Sequence, residues 1–156
     1  MTIAVFSDSH GSVQEMRKIL KSNRYDLCVH LGNDADDLRP LRREFSIPFY
    51  AVHGNQDTAR NLGETIVIIL EGIKLYITHG HRLSVKRGLS LLTAAAREEG
   101  AHIALFGHTH LPYEGAAEGI LLYNPGTVSG VGTGLCTFGE LTLAGGEIRY
   151  RNVTFA

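Results

Sequence analysis

A chain of 156 residues with 44% hydrophobic and 20% charged residues is long enough to bury its own core and has neither a disordered nor a membrane-spanning composition. A formal net charge of −1 without any run of Lys or Arg excludes electrostatic capture by nucleic acid or an anionic bilayer. The two cysteines, Cys28 and Cys136, each lie in an apolar run, too few and too far apart for a disulfide framework or a thiolate metal site.

Taken in chain order, strands are predicted over residues 2–6, 27–31, 49–52, 65–70, 74–78, 103–106, 120–123, 135–143 and 148–155. A helix is predicted after Ser12 as N-cap, with Val13, Met16, Ile19 and Leu20 at helical spacing. A shorter helix over 37–45 ends before Pro48, and another follows Ser84 through Val85, Leu89, Leu92 and Ala96. Glu71-Gly72, Glu118-Gly119 and Ala144-Gly145-Gly146 read as hairpin turns, which makes the C-terminal half an antiparallel or mixed sheet. The early alternation of strand and helix indicates an α/β class in one domain over 1–156, with 130–134 as a flexible loop. The start lacks a secretory pattern, and the longest apolar stretch, 66–70, is far short of the roughly 20 residues of a membrane helix, so a cytoplasmic protein is expected.

Ligand-type side chains collect immediately after five of these strands. Residue 6 is followed by Asp8 and His10, residue 31 by Asn33 and Asp34, and residue 52 by His53, Asn55, Gln56 and Asp57. Thr78 is followed by His79 and His81, and residue 106 by His108 and His110. The carboxyl ends of parallel strands form the ligand crevice of open α/β sheets, so these groups converge if the strands are adjacent. Imidazole nitrogens with carboxylate and amide oxygens suit manganese, iron, cobalt, nickel or zinc. Seven candidates (Asp8, His10, Asn33, Asn55, His79, His108 and His110) are too many for one tetrahedral ion and suit two ions with a shared bridge.

The ordered motifs Asp8-x-His10, Gly32-Asn33, Gly54-Asn55, His79 and Gly107-His108-x-His110 resemble those of the calcineurin-like metallophosphoesterases. Thr78-His79-Gly80-His81 and Asn124-Pro125-Gly126 make the chain most similar to the compact bacterial and archaeal phosphodiesterases of that superfamily. The resemblance implies an α/β fold of two packed mixed β-sheets flanked by helices, an αββα sandwich. It implies two divalent ions, manganese foremost, with Asp8, His10 and His110 on the first, Asn55, His79 and His108 on the second, and residue 33 bridging. A small phosphodiester is the implied substrate, hydrolysed by metal-activated water, and a dimer or tetramer is the implied assembly.

Two departures stand out against that pattern. Asn33 occupies the position of a bridging Asp, leaving Asp8 as the one anionic ligand, so metal affinity is expected to fall. Gln56 replaces a histidine that in larger relatives meets the phosphate, which favours good leaving groups. His53, Gln56 and His81 are the candidate substrate contacts, and Arg60, Arg82 and Lys86 either shape the pocket or are solvated charges. His30 reads as a core histidine, His102 as a surface residue, and Asn124 as a turn residue. Asp36 and Asp37 read as helix N-terminal acids. Asp57 reads equally as a carboxylate behind a ligand and as a turn residue. Relatives of this fold in the retromer coat hold partner proteins instead of catalysing, which makes a binding scaffold the alternative.

Overall fold

The alternation in the first strand, β1 (Thr2–Phe6), already divides the molecule into layers in the computed structural model, which describes residues 1–58 and 61–155. Ile3 and Val5 pack into one apolar cluster and Ala4 and Phe6 into another, all four at 0% exposure. A strand buried on both faces needs cover on both sides. The chain supplies it with α1 (Val13–Ser22), β2 (Leu27–His30), α2 (Leu38–Glu44), β3 (Phe49–Ala51), β4 (Thr65–Leu70) and β5 (Ile73–Thr78). It continues with α3 (Ser90–Glu98), β6 (Ile103–Leu105), β7 (Pro112–Ala117), β8 (Ile120–Pro125), β9 (Cys136–Ala144) and β10 (Glu147–Phe155).

The strands form two five-stranded sheets, ordered β10-β9-β1-β2-β3 and β4-β5-β6-β8-β7. In the first, β1, β2 and β3 are parallel, β9 is antiparallel to β1, and the edge strand β10 is antiparallel to β9; in the second, β5, β6 and β8 are parallel and β4 and β7 are antiparallel edges. Ile3, Val5, Leu27 and Val29 of one sheet meet Leu75, Ile77, Ile103 and Leu105 of the other in a shared core. Met16, Leu20, Leu38 and Leu41 close the outer face of the first sheet, and Leu92 and Ala96 that of the second. The result is the expected α/β arrangement of two packed mixed sheets flanked by helices, in which six parallel strands send their carboxyl ends toward connecting loops.

The sequence reading departs from the structure at identifiable places. It misses β7, whose Pro112 and Gly115 sit on an edge strand, where a missing N–H or side chain costs little. It starts α3 at Ser84, but Ser84 is left-handed (φ 53°) and Gly88 has φ 154°, so the helix begins at Ser90 although Val85 is buried with Leu92. Residues His81–Leu83 form a 3₁₀ turn instead, as do Ala35–Asp37 ahead of α2. Ser12 does precede α1, yet its hydroxyl makes no capping bond. Among the described residues, no helix is long and apolar enough to cross a membrane.

Candidate metal centre

Each ligand-bearing segment leaves its strand through a sharp reversal. Asp8, His10, Asn33, Asp34, His108 and His110 all have positive φ, between 42° and 69°. A left-handed backbone at a residue with a side chain costs roughly 1–2 kcal/mol, and such outliers gather at functional sites because surrounding packing holds them there. Here the reversal turns consecutive side chains toward one point instead of onto alternate faces. Bonds tie neighbouring loops together: Asp8 N–H donates to Gly32 O (3.0 Å) in the first sheet, Gly107 N–H to His79 O (3.0 Å) in the second, and His108 N–H to Asp8 Oδ2 (3.3 Å) across the two.

Three imidazoles are then oriented in the same way. Nδ1–H of His79 donates to Leu31 O at 2.6 Å, Nδ1–H of His110 to Val131 O at 2.6 Å, and Nδ1–H of His10 pairs with Asp34 Oδ2 at 2.9 Å. A carbonyl only accepts, so Nδ1 carries a proton and Nε2 is the nitrogen each ring turns inward. Two of these nitrogens face oxygens. His110 Nε2 lies 3.2 Å from Asp8 Oδ1, His79 Nε2 lies 3.2 Å from Asn55 Oδ1, and His10 Nε2 is buried with no partner. Burial holds the His79 imidazole down at about pKa 4 despite the nearby Asp8 carboxylate, so it is neutral at pH 7. Inward-facing imidazole nitrogens set against carboxylate and amide oxygens, with one of those nitrogens buried and unpartnered, are a donor set that fits a divalent ion.

Asp8, His10 and His110 bring one ligand atom each to within 4.8 Å of one another. Asp8 is fully buried, with Oδ2 accepting from Ser7 Oγ (2.6 Å) and from His108 N–H (3.3 Å). The other half is Asn55, His79 and His108, with His108 Nδ1 at 3.2 Å from His79 Nε2. Burial, reinforced by the Lys86 ammonium, pushes the His108 imidazole below its ordinary pKa. Asn33 stands between the halves: Nδ2 donates to Asp8 Oδ1 (3.0 Å) and to Asn55 Oδ1 (3.3 Å), while Oδ1 accepts Gln56 N–H (3.0 Å). All seven predicted ligands are therefore brought together.

The supporting residues show what the sequence left open. Asp57 is the carboxylate behind the ligands: it accepts N–H from Asn33 (2.8 Å), Gly54 (2.8 Å) and Ala35 (3.0 Å). Burial works to raise its pKa, yet those bonds hold it below the ordinary value. Asp37 does more than sit at a helix start, since Oδ2 accepts Ser9 Oγ–H (2.8 Å) and Gly11 N–H (2.7 Å) and so braces the Asp8–His10 loop. Asn124 is also more than a turn. Its Nδ2 donates to Gly107 O (3.1 Å) and Thr109 Oγ1 (3.0 Å), carrying the end of a sixth parallel strand to the His108–His110 loop. Thr127, unremarked in the sequence, donates its hydroxyl to Asp8 O at 2.9 Å. The loop over 130–134 is anchored in turn, because its Val131 carbonyl orients His110.

His30 is the satisfied core histidine expected: Nδ1 accepts Gly32 N–H (3.1 Å) and Nε2 meets Ser9 Oγ (2.9 Å). His102, exposed, accepts Lys74 N–H at 2.9 Å. Of the candidate substrate contacts, His53 and His81 each carry a buried Nδ1 without a partner, whereas Gln56 is exposed and reaches the site only through its backbone. Arg82 is paired with Glu64 at 2.9 Å on the surface, and Arg60 lies outside the described residues.

Gly54 is a point where the site admits no side chain. A Cβ there would run into the Asn33 amide and come within 2.5 Å of the Asn33 backbone nitrogen. Gly54→Ala is expected to cost about 1–3 kcal/mol as an overpacked contact and to displace Asn33 and Asn55 together. Thermal unfolding and metal content measured on the same sample check both effects; an unchanged metal content would show that the loop absorbs the methyl elsewhere.

Over residues 1–145 the chain matches the calcineurin-like phosphoesterase superfamily domain. The chain belongs to that superfamily. Among curated relatives, the probable metallophosphoesterase YsnB of Bacillus subtilis is 32% identical over 130 residues, covering 82% of this chain and 75% of its own. Phosphodiesterase MJ0936 of Methanocaldococcus jannaschii is 26% identical over 168 residues, covering 96% of this chain and 97% of its own. A solved archaeal phosphodiesterase superposes with TM-score 0.82 at 25% identity, over 99% of this chain and all of that one. Vps29 from Entamoeba histolytica, solved with zinc, shares the fold at TM-score 0.78 and 24% identity, each chain covered in full. This is a metal-dependent phosphoesterase family, and the ligand set described above is of the kind such chemistry requires.

Proposed function

We propose that this protein hydrolyses phosphodiesters at a centre of two divalent ions, with Asp8, His10 and His110 on one ion, Asn55, His79 and His108 on the other, and Asn33 between them. The observation that carries the reading is the set of three histidines held outward through Nδ1, with Nε2 of His110 against Asp8, Nε2 of His79 against Asn55, and Nε2 of His10 buried without a partner. Such ions, when bound, lower the pKa of a water and neutralise charge on phosphorus. The chain's own part is positional: Asp34, Leu31 and Val131 fix the rings, and Asp57 and Asn124 fix the loops. His81, whose ring lies 5.4 Å from that of His79 and 6.2 Å from that of His108, is the candidate donor to phosphoryl oxygens, with His53 as the second candidate.

A groove of about 660 Å³ is lined by Val85, Lys86, Phe106, Leu111 and Tyr113 and by Thr109, the residue between His108 and His110 in the chain. Its apolar floor suits one ester substituent of a small diester, and Lys86 at its side favours an anion. Chelation is expected to abolish turnover of an activated diester, and manganese to restore it more fully than nickel, cobalt, iron or zinc. Turnover that survives exhaustive chelation would remove this reading. A second reading, a binding scaffold, is favoured by Leu111, Val131 and Leu135, which stand 58%, 51% and 43% exposed beside the same loops. Full metal loading with no turnover on any diester would put the scaffold first.

A further inference from the structure

We propose that Asn33 makes the two halves of this centre unequal: one cation is held firmly by Asp8, His10 and His110, and the Asn55–His79–His108 half loads only at high metal concentration. The inference rests on the metal-centre reading above and concerns which end of one amide faces the ligands. Oδ1 of Asn33 accepts the Gln56 backbone N–H at 3.0 Å, and a backbone N–H can only donate. That bond fixes the amide so that Nδ2, carrying two hydrogens and no lone pair available to a metal, faces inward. One hydrogen goes to Asp8 Oδ1 at 3.0 Å and the other toward Asn55 Oδ1 at 3.3 Å.

Turning the amide over would present oxygen to the ligands but would set NH₂ against the Gln56 N–H, donor against donor. Oδ1 occupies the space that a Cβ at position 54 would take, so the amide oxygen is seated against Gly54. The residue between the halves thus donates to each half and neutralises no charge.

The halves do not suffer equally. The first keeps a buried carboxylate and two Nε2 lone pairs, one of them, on His10, with no partner. The second has only neutral donors: an amide oxygen already accepting from Asn33, His79, and His108, whose Nδ1 is already turned onto His79 Nε2. A carboxylate at position 33 would accept Gln56 N–H with one oxygen and offer the other to both halves.

The test strips the full chain with chelator, titrates it with Mn²⁺ by calorimetry, and measures metal by elemental analysis after gel filtration, for wild type, Asn33→Asp and Asn33→Ala. Wild type and Asn33→Ala are expected to retain one ion per chain. Asn33→Asp is expected to retain two, the second bound about 10–100-fold more tightly than in wild type. In chelator, Asn33→Asp brings a second carboxylate beside Asp8, so it is expected to unfold at a lower temperature than wild type and to gain more from Mn²⁺, which also reports that it folds. Two ions retained by wild type, or no second ion in Asn33→Asp, would overturn the proposal. No ion in any of the three would overturn the metal-centre reading itself.

Discussion

Asp8→Asn is expected to abolish firm metal binding and to lower kcat/KM on an activated diester by at least about 10²-fold, while the metal-free protein unfolds within a few degrees of wild type. Even partners that merely orient a ligand are worth about 10–100-fold, and a direct ligand exceeds them. Among the described residues Asp8 is the one carboxylate aimed into the cluster, since Asp34 is turned to His10 and Asp57 to backbone N–H groups. Its Oδ1 lies 3.2 Å from His110 Nε2 and 4.0 Å from His79 Nε2, so it faces both halves. The small stability change has a separate cause. A fully buried carboxylate is costly where no cation is bound, and an amide in its place removes that cost. Isothermal titration with Mn²⁺, initial rates and a melting curve in chelator measure the three quantities. Activity retained within tenfold would mean that Asp8 is not a ligand.

The strands and their order of motifs were legible because both signals are local. Ile3, Val5 and Phe6 announce a buried strand by composition, and glycine beside each His or Asn marks a reversal, so strand bounds move by no more than two residues between expectation and structure. The candidate ligands were legible for the same reason, each lying within a few residues of a strand end. What was hidden depends on long-range pairing. Convergence was tied to adjacency of the five strands, yet β1, β2 and β3 lie in one sheet and β5 and β6 in the other, and the site forms where the two sheets' loops meet. Asn124 looked like the start of an Asn-Pro-Gly turn because its partners, Gly107 and Thr109, are 15 or more positions away. The false start of α3 has a physical source too: Val85 and Leu89 do bury on the side of Leu92, but the chain reaches them through a left-handed Ser84 and a Gly88 at φ 154°.

Asp57→Ala is expected to lower the unfolding temperature by about 6–12 °C and to strip metal from the Asn55–His79–His108 half first. The carboxylate accepts three backbone N–H groups, from Asn33, Gly54 and Ala35, and thereby sets both Asn-bearing loops in register. Each unsatisfied donor costs about 1–3 kcal/mol when dry. Asp57 is only partly buried, so water replaces some of these bonds and about 3 kcal/mol is the expected total, at roughly 2–4 °C per kcal/mol for a chain of this size. Asp57→Asn keeps one accepting oxygen in place of two and is expected to fall between. The acid side of the stability curve gives an independent check. A carboxylate whose folded pKa is held below its ordinary value stabilises the fold above that value and loses the contribution as pH falls through the folded pKa. Part of the wild-type loss of stability below about pH 4 is therefore expected to vanish in Asp57→Ala. If the alanine variant instead melts with wild type and shows the same acid limb, water satisfies all three N–H groups, and Asp57 is an ordinary turn residue after Gly54-Asn55.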